Sequence, residues 1–219
     1  MTAGDGADYA GLIRGIERLY REQGDANGPG ADMLRWAAAE LAKFDYSRSR
    51  AGTGIRKPVA RFVSDAVAAA QSGPLGELAR DFAAIEPRSD WLQNPNYTAA
   101  AMGEDFIANY GYIELVGPKR PFDSSMLLVG FLMLGPGTHY PDHRHAAAET
   151  YHVVAGAAEW RREGLGWRVE QPGAAIHHLP NEAHAMRAGT TPLLALYCWS
   201  GEIGREARLS ARDSAARPA

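Results

Sequence analysis

Several features that define other classes of protein are scarce or absent in this chain of 219 residues. A single cysteine, Cys198, excludes an internal disulfide framework and suits a reducing compartment. No apolar run approaches the length of a membrane span, and the first twelve residues lack the basic start and apolar stretch of a signal peptide. We therefore expect a cytoplasmic protein without a membrane partner.

An excess of basic charge is also missing. The formal net charge is −3 at pH 7, which gives no reason to expect a nucleic acid as partner. Hydrophobic residues make up 46% of the chain and charged residues 22%, as in ordinary soluble globular proteins. Histidine is absent from the first ninety residues, and all seven histidines lie between His139 and His184. Such clustering is what a metal site would leave.

The first ninety residues show helical periodicity. Apolar residues recur at the spacing of an amphipathic helix in four stretches separated by breaks, namely Leu12–Tyr20, Met33–Leu41, Val59–Ala70 and Leu75–Ile85. None of them carries ligand-type residues. We predict that residues 1–92 form a helical N-terminal extension that packs on the rest of the protein. It would cover a barrel, make a dimer contact or contribute to a substrate lid.

After Pro87 the pattern changes to short apolar runs broken by glycine and proline. These runs are Tyr112–Val116, Met126–Leu134, Tyr151–Val154, Ala157–Arg161, Trp167–Val169, Ala174–Leu179 and Leu193–Trp199. Many short strands without intervening helices favour an antiparallel sandwich or barrel. We predict a mainly β protein with one barrel over residues 97–205 and a flexible tail over residues 206–219.

The stretch Gly137–Gly156 carries the chemistry of the chain. His143 and His145 are separated by one residue, and Glu149 follows four positions later. In an extended strand the two imidazoles would point to the same side, and a turn or bulge could bring the carboxylate to them. Two imidazoles and one carboxylate are suitable ligands for a divalent metal of borderline softness.

The spacing G-x5-H-x-H-x3-E-x6-G in this stretch matches the first motif of the cupin superfamily residue for residue. Pro172-Gly173 followed by Leu179–His184 resembles the second cupin motif, although more loosely. The resemblance implies a jelly-roll barrel, also described as a double-stranded β-helix, in which His143, His145, Glu149 and His184 bind one metal ion. Such a ligand set suits Zn, Mn, Fe, Co and Ni, so the choice among them stays open. Cupins often pair through their sheets, and a homodimer is compatible with the sequence.

Tyr151 lies two residues after Glu149 and would face the same side of a regular strand. A nearby divalent cation favours the phenolate, which is a competent general base once its pKa is lowered. The alternative is an aromatic residue that only lines the barrel. Tyr140, three residues before His143, would stand at the rim of the same mouth.

The other four histidines are not among the predicted metal ligands. His152 should point away from the barrel interior, and only one of His177 and His178 can face it. The inward one of that pair could touch a substrate. His139 would stand at a loop edge, and its role stays open.

A narrower resemblance is carried by the order Y-x2-H-x-H-x3-E-x-Y, then a distant histidine, then a tryptophan. The residues that form it are Tyr140, His143, His145, Glu149, Tyr151, His184 and Trp199. This set resembles the bacterial cupin-type dimethylsulfoniopropionate (DMSP) lyases, which split DMSP into dimethyl sulfide and acrylate in a metal-bearing barrel.

The resemblance implies a β-elimination. The metal would bind the substrate carboxylate as a Lewis acid, and Tyr151 would remove the α-proton, with Tyr140 as the second candidate. Aromatic faces would hold the sulfonium cation, with Trp199 and Tyr140 first and Trp160 and Tyr197 behind them. Two alternatives remain open, a metal-dependent cupin oxygenase or isomerase acting on another small carboxylate, and a non-catalytic cupin that binds a small ligand.

Overall fold

The computed structural model of the protein describes residues 3–45, 52–118 and 121–210. The α-helices are α1 (Ala3–Asp25), α2 (Ala31–Leu41), α3 (Val63–Ala70), α4 (Gly76–Ile85), α5 (Ala99–Met102) and α6 (Glu104–Asn109), with 3-10 turns at Pro58–Phe62 and Glu86–Arg88. The strands are β1 (Tyr110–Gly117), β2 (Phe122–Asp123), β3 (Leu127–Leu134), β4 (His139–Arg144), β5 (Ala148–Ala155), β6 (Ala158–Arg162), β7 (Arg168–Glu170), β8 (Ala175–His178), β9 (His184–Ala188), β10 (Leu193–Ser200) and β11 (Arg208–Leu209).

The strands form two sheets that face each other. A six-stranded sheet has the order β2-β1-β3-β10-β5-β8, and a five-stranded sheet has the order β11-β4-β9-β6-β7. All pairs are antiparallel except β1 with β2. Because the chain crosses between the sheets repeatedly after β3, residues distant in sequence meet in the interior. The predicted mainly β, cupin-like barrel with N-terminal helices is confirmed.

The six-stranded sheet has apolar residues on both faces, since alternate side chains of a strand point in opposite directions. On β3, Val129, Phe131 and Met133 belong to a core shared with the helices, whereas Leu128 and Leu132 belong to the barrel interior. The nearly continuous apolar run of β3 is therefore the sequence mark of a strand that is covered on both sides.

The helices α1 to α4 pack on the outer face of this sheet. Phe82 of α4 contacts Phe131 of β3, with ring centroids 4.7 Å apart, and Tyr20 of α1 stacks on His152 of β5 at 5.6 Å. Full burial of each large apolar side chain contributes about 1.5–3 kcal/mol. No helix in the described ranges has the length and apolarity that a membrane span requires.

Two short helices occupy a segment that the sequence analysis assigned to the barrel. Helices α5 and α6 lie between Thr98 and Tyr110, and the first barrel strand begins only at Tyr110. The side chain of Thr98 accepts a hydrogen bond from the amide of Ala101 at 3.2 Å and caps α5. Thr98 is a capping residue followed by a run of alanines, and this local signal for a helix was present within a region whose overall pattern favoured strands.

The end of the barrel also differs from the prediction. Residues 206–210 were predicted to begin a flexible tail, but β11 pairs with β4, and the amide of Ser210 donates a hydrogen bond to the carbonyl of Asp142 at 2.7 Å. The side-chain amide of Asn94 donates to the carbonyl of Ala207 at 2.8 Å. These contacts hold the segment against the barrel mouth. The remainder of the predicted tail, residues 211–219, lies outside the described residues.

Candidate metal centre and substrate cavity

Three side chains from three places in the chain meet at the barrel mouth. His145 follows β4, Glu149 lies on β5, and His184 begins β9. Their ligand atoms all lie within 4.8 Å of one another, and all three residues are buried. Nε2 of His145 is 3.0 Å from Oε2 of Glu149, and Nε2 of His184 is 3.2 Å from the same oxygen. The geometry therefore focuses two imidazoles on one carboxylate oxygen.

Backbone carbonyls orient the histidines. Nδ1 of His145 lies 3.0 Å from the carbonyl of Ala147, and Nδ1 of His184 lies 3.0 Å from that of Glu182. A carbonyl oxygen can only accept a hydrogen bond, so Nδ1 of each ring must carry the hydrogen. In the neutral imidazole, Nε2 then keeps a lone pair directed at the centre. Metal-binding histidines are held in the same way in proteins generally.

This arrangement brings together electron pairs that repel each other unless a cation lies between them. Burial acts to raise the pKa of Glu149, but positive charge or a hydrogen at Nε2 of His145 and His184 lowers it well below its ordinary value, and a bound cation would have the same effect. Two nitrogen lone pairs and a buried carboxylate form a donor set that fits a divalent transition metal. The prediction of a metal site is supported at the level of this His-His-Glu group.

His143, the fourth predicted ligand, lies beside this group rather than within it. Its ring centroid is 4.2 Å from that of His184, and its Nδ1 is 2.9 Å from the carbonyl of Pro141. Its other face stacks on Tyr140, with centroids 3.8 Å apart. Burial lowers the pKa of His143, and His184 lowers it further, so the ring is neutral and its Nε2 is available. Its role as fourth ligand stays a prediction.

Trp199 on β10 supports the centre. Its indole N–H donates to Oε1 of Glu149 at 2.5 Å, and its ring stacks on His145 with centroids 3.9 Å apart. The register explains the contact, because Trp199 and Glu149 are paired across β10 and β5. The sequence analysis assigned Trp199 to cation binding. The structure adds a contact that orients both a carboxylate and an imidazole of the metal group.

A cavity of about 190 Å³ opens beside these residues. Much of its wall is aromatic, formed by Tyr110, Tyr112, Tyr140, Tyr151, Tyr197 and Trp199. Glu206 and Ala207 also line the cavity, so the start of the segment that was predicted to be a tail is part of its wall. The volume suits a ligand of a few heavy atoms, with the metal group at one end.

Tyr151 lies in the cavity wall close to Glu149, which also lines the cavity. Burial raises the pKa of Tyr151 well above its ordinary value, and the negative charge of Glu149 raises it further. The protein groups alone thus shift this pKa in the direction opposite to the predicted one. A phenolate at this position would need a cation at the centre to offset both effects.

Tyr140 is more deeply enclosed than its predicted position at the rim of the mouth. It is 4% exposed, and its hydroxyl donates to that of Tyr97 at 3.0 Å. The sequence analysis overlooked Tyr97 and Tyr110, whose rings pack around Tyr140 at 5.7 and 5.3 Å. Tyr110 and Tyr112 alternate on β1, and this period-2 spacing of tyrosines is the signal that could have revealed one wall.

Trp160 is not among the residues that line the cavity, and its role in substrate binding stays a prediction. It is buried on β6 of the opposite sheet, where its ring packs behind Tyr151 with centroids 5.4 Å apart. The strand points it inward as expected, but Tyr151 stands between it and the cavity. Tyr197, the other residue of that predicted pair, does line the cavity.

The remaining histidines divide as the strand alternation predicts. His152 and His177 face the helices, where His177 lies 3.0 Å from the hydroxyl of Thr150. His178 faces the interior and stacks on His184, with centroids 3.9 Å apart, but it is not part of the cavity wall. His139 is exposed on β4 and contacts the edge of Trp167.

The fold and the centre together define a class of protein, the cupin-type barrels with a buried His-His-Glu group that could bind a metal. Within this class, the chain belongs to the dimethylsulfoniopropionate lyase family, whose model matches residues 35–195.

Two curated relatives support this membership. The DMSP lyase DddQ of Ruegeria pomeroyi is 34% identical over 107 residues, which are 49% of this chain and 53% of the relative. The chain thus spans about half the length of that protein. The DddL protein of Cereibacter sphaeroides is 29% identical over 211 residues, which are 94% of this chain and 87% of the relative.

Solved structures agree in fold over nearly the whole chain. A structure described as that of the DMSP lyases RdDddP and RnDddQII has a TM-score of 0.71 and 25% identity, covering 94% of this chain and 99% of the other. The crystal structure of DddQ from Ruegeria pomeroyi has a TM-score of 0.68 and 24% identity, covering 93% and 96%.

Proposed function

We propose that this protein is a metal-dependent lyase that cleaves DMSP into dimethyl sulfide and acrylate. Membership in the DMSP lyase family supports the substrate. The observation that carries the metal dependence is the pair of Nε2 atoms, 3.0 and 3.2 Å from one oxygen of Glu149. The proposed ligands are His145, Glu149 and His184, with His143 as the fourth.

When bound there, a divalent cation would act as a Lewis acid on the substrate carboxylate, which makes the adjacent C–H more acidic. The residues of the chain then have two tasks. Tyr151 accepts the α-proton, while the electron pair of that C–H bond forms the double bond of acrylate. The C–S bond breaks with its pair on sulfur, so the sulfonium leaves as neutral dimethyl sulfide.

Tyr151 is favoured over Tyr140 as the base because of its position on the strand that carries Glu149. Tyr151 follows Glu149 by two residues on β5 and lines the cavity with it, whereas the hydroxyl of Tyr140 donates to that of Tyr97. A proton acceptor must lie near the cation that lowers its pKa. The enclosed aromatic wall also excludes water, which strengthens the electrostatic interactions inside the cavity.

The test is a product assay on the purified protein. Incubation with DMSP should release dimethyl sulfide into the headspace and acrylate into solution in equal amounts. Exhaustive chelation should abolish the release, and addition of Zn, Mn, Fe, Co or Ni singly should identify the metals that restore it. Absence of dimethyl sulfide from the metal-loaded protein would refute the proposed substrate, and full activity of metal-free protein would refute the metal site. A cytoplasmic location stays a prediction that rests on the single cysteine, which is buried and free.

A further inference from the structure

One row of residues across the six-stranded sheet connects the proposed base to a carboxylate at the other end of the cavity. Glu114 on β1 is paired with Gly130 on β3, Gly130 with Tyr197 on β10, and Tyr197 with Tyr151 on β5. The side chains of this row share the inner face, where Glu114, Tyr151 and Tyr197 all line the cavity.

Gly130 makes room for Tyr197 to lean along this row. A Cβ added at Gly130 would lie 2.5 Å from the hydroxyl oxygen of Tyr197 and 2.7 Å from its Cζ, so the phenol rests directly on the glycine. The ring therefore points from its own strand toward β1, where Glu114 lies. Replacement of Gly130 by any other residue would displace this ring.

Tyr197 is only 6% exposed, and its buried hydroxyl has no hydrogen-bond partner. Glu114 and Tyr197 both line the cavity, and the phenol leans over Gly130 toward the strand that carries Glu114. Burial raises the pKa of Tyr197, and the negative charge of Glu114 raises it further. Tyr112 completes this end of the cavity, with its ring centroid 6.4 Å from that of Tyr197 and nearly perpendicular to it. Two aromatic faces and a half-buried anion form a site for a cation that carries methyl groups.

We propose that Glu114 selects the positively charged end of the substrate, with Tyr112 and Tyr197 as the walls against its methyl groups. The inference rests on the proposed function, which places the carboxylate of the substrate at the opposite end, beside Glu149. It differs from the expectation that aromatic faces alone hold the cation. Glu114 is a specificity-determining residue in this account, and it takes no part in proton transfer.

The chemistry of the reaction gives this residue a distinct kinetic signature. The sulfonium loses its positive charge as the C–S bond breaks, so the attraction of Glu114 is stronger in the bound substrate than in the transition state. Loss of the Glu114 charge should therefore raise KM for DMSP roughly tenfold or more, and it should reduce kcat far less.

A binding experiment tests the inference without turnover. The metal-loaded protein is titrated with 3-(trimethylammonio)propionate and with 4,4-dimethylpentanoate, which have the same shape and carboxylate but differ in one positive charge. The wild type should prefer the cation roughly tenfold or more, and Glu114→Gln should lose most of this preference while it binds the neutral ligand as before. Glu159→Gln is the matched control, since Glu159 is a strand glutamate that pairs with Arg187 at 3.7 Å away from the cavity.

Several outcomes would overturn the inference. Equal affinity of the wild type for both ligands refutes the inference. This test needs no variant, so the inference can be refuted even if Glu114→Gln fails to fold. Retention of the cation preference in Glu114→Gln, or its equal loss in Glu159→Gln, also refutes it. If the wild type releases no dimethyl sulfide but its cation preference depends on Glu114, the proposed reaction fails and the binding site stands.

Discussion

The two faces of the six-stranded sheet use similar residues for different purposes. On β5, Tyr151 faces the cavity, whereas its neighbour His152 faces the helices and stacks on Tyr20. On β8, His178 stacks on His184 of the metal group, whereas His177 lies against Thr150. Neighbouring residues of one strand thus have different roles, one at the cavity or the metal group and the next in packing against the helices, because alternate side chains point to opposite sides.

A buried polar atom without a partner also has a different meaning on each face. Neither ring nitrogen of His152 has a hydrogen-bond partner, and the contact with Tyr20 offers none, so this atom pair is a cost to folding. The hydroxyl of Tyr197 lacks a partner too, but Tyr197 lines the cavity, where a ligand can approach. The partnerless hydroxyl of Tyr197 is therefore open to a ligand, whereas the ring nitrogens of His152 are not.

The largest expected effect is on the inner face. His184→Ala removes one imidazole of the metal group, so metal content after dialysis and release of dimethyl sulfide should both fall to background. His177→Ala is the matched control on the outer face, and it should keep the metal and the activity. Metal analysis of both variants checks the comparison, and full occupancy in His184→Ala would contradict the assignment of the centre.

The next effect concerns the outer face and depends on pH. Burial lowers the pKa of His152 from 6.5 to about 4, so between these values the unfolded chain takes up a proton that the folded protein does not. Stability from this group is complete above pH 6.5 and is lost as the pH falls toward 4, by about 3 kcal/mol at about 1.4 kcal/mol per unit.

His152→Leu should remove this loss. The difference in unfolding free energy between the variant and the wild type, measured in urea, should shift in favour of the variant by about 3 kcal/mol from pH 7 to pH 4. Histidines common to both proteins cancel in this difference. A difference that does not change with pH would show that His152 has the same pKa in the folded and the unfolded protein, which contradicts the expected lowering.

A smaller effect is expected from loss of the hydrogen bond between the indole N–H of Trp199 and Glu149. Trp199→Phe keeps an aromatic ring against His145 but removes the N–H that donates to Glu149. Loss of such a supporting contact typically lowers metal affinity or activity about 10–100-fold. Trp167→Phe, at the exposed edge near Arg187, should leave both unchanged. A Trp199→Phe protein with normal metal affinity but a raised KM would instead favour the role in cation binding.

The sequence was informative where local spacing determines the structure. The motif from His143 to Tyr151 indicated the strand face, the carboxylate and the inward tyrosine, and helical periodicity located α1, α2, α3 and α4. Strands β4 and β9 were missed because their histidines and charged residues do not look like strand residues. They are strands because their partners supply the hydrogen bonds, which no local pattern contains.

Other features depend on contacts between distant parts of the chain. Tyr97 meets Tyr140 across 43 positions, and Asn94 holds Ala207 across 113. For Trp160, the strand pattern predicted the inward direction of the side chain, but it could not predict the contact with the ring of Tyr151. The ordered segment 206–210 has no sequence signal of its own, and β4 and Asn94 determine its place.

The most direct test of the account is the rate of Tyr151→Phe. This variant keeps the ring and its packing but deletes the proton acceptor, so folding and metal content should match the wild type. Tyr20→Phe, which deletes a hydroxyl on the outer face, is the matched control and should keep full activity. The account predicts that release of dimethyl sulfide by Tyr151→Phe falls by roughly 10²–10⁴-fold, the usual contribution of a positioned general base. Release at nearly the wild-type rate would contradict it and would move the base to another residue, with Tyr140 the first to examine.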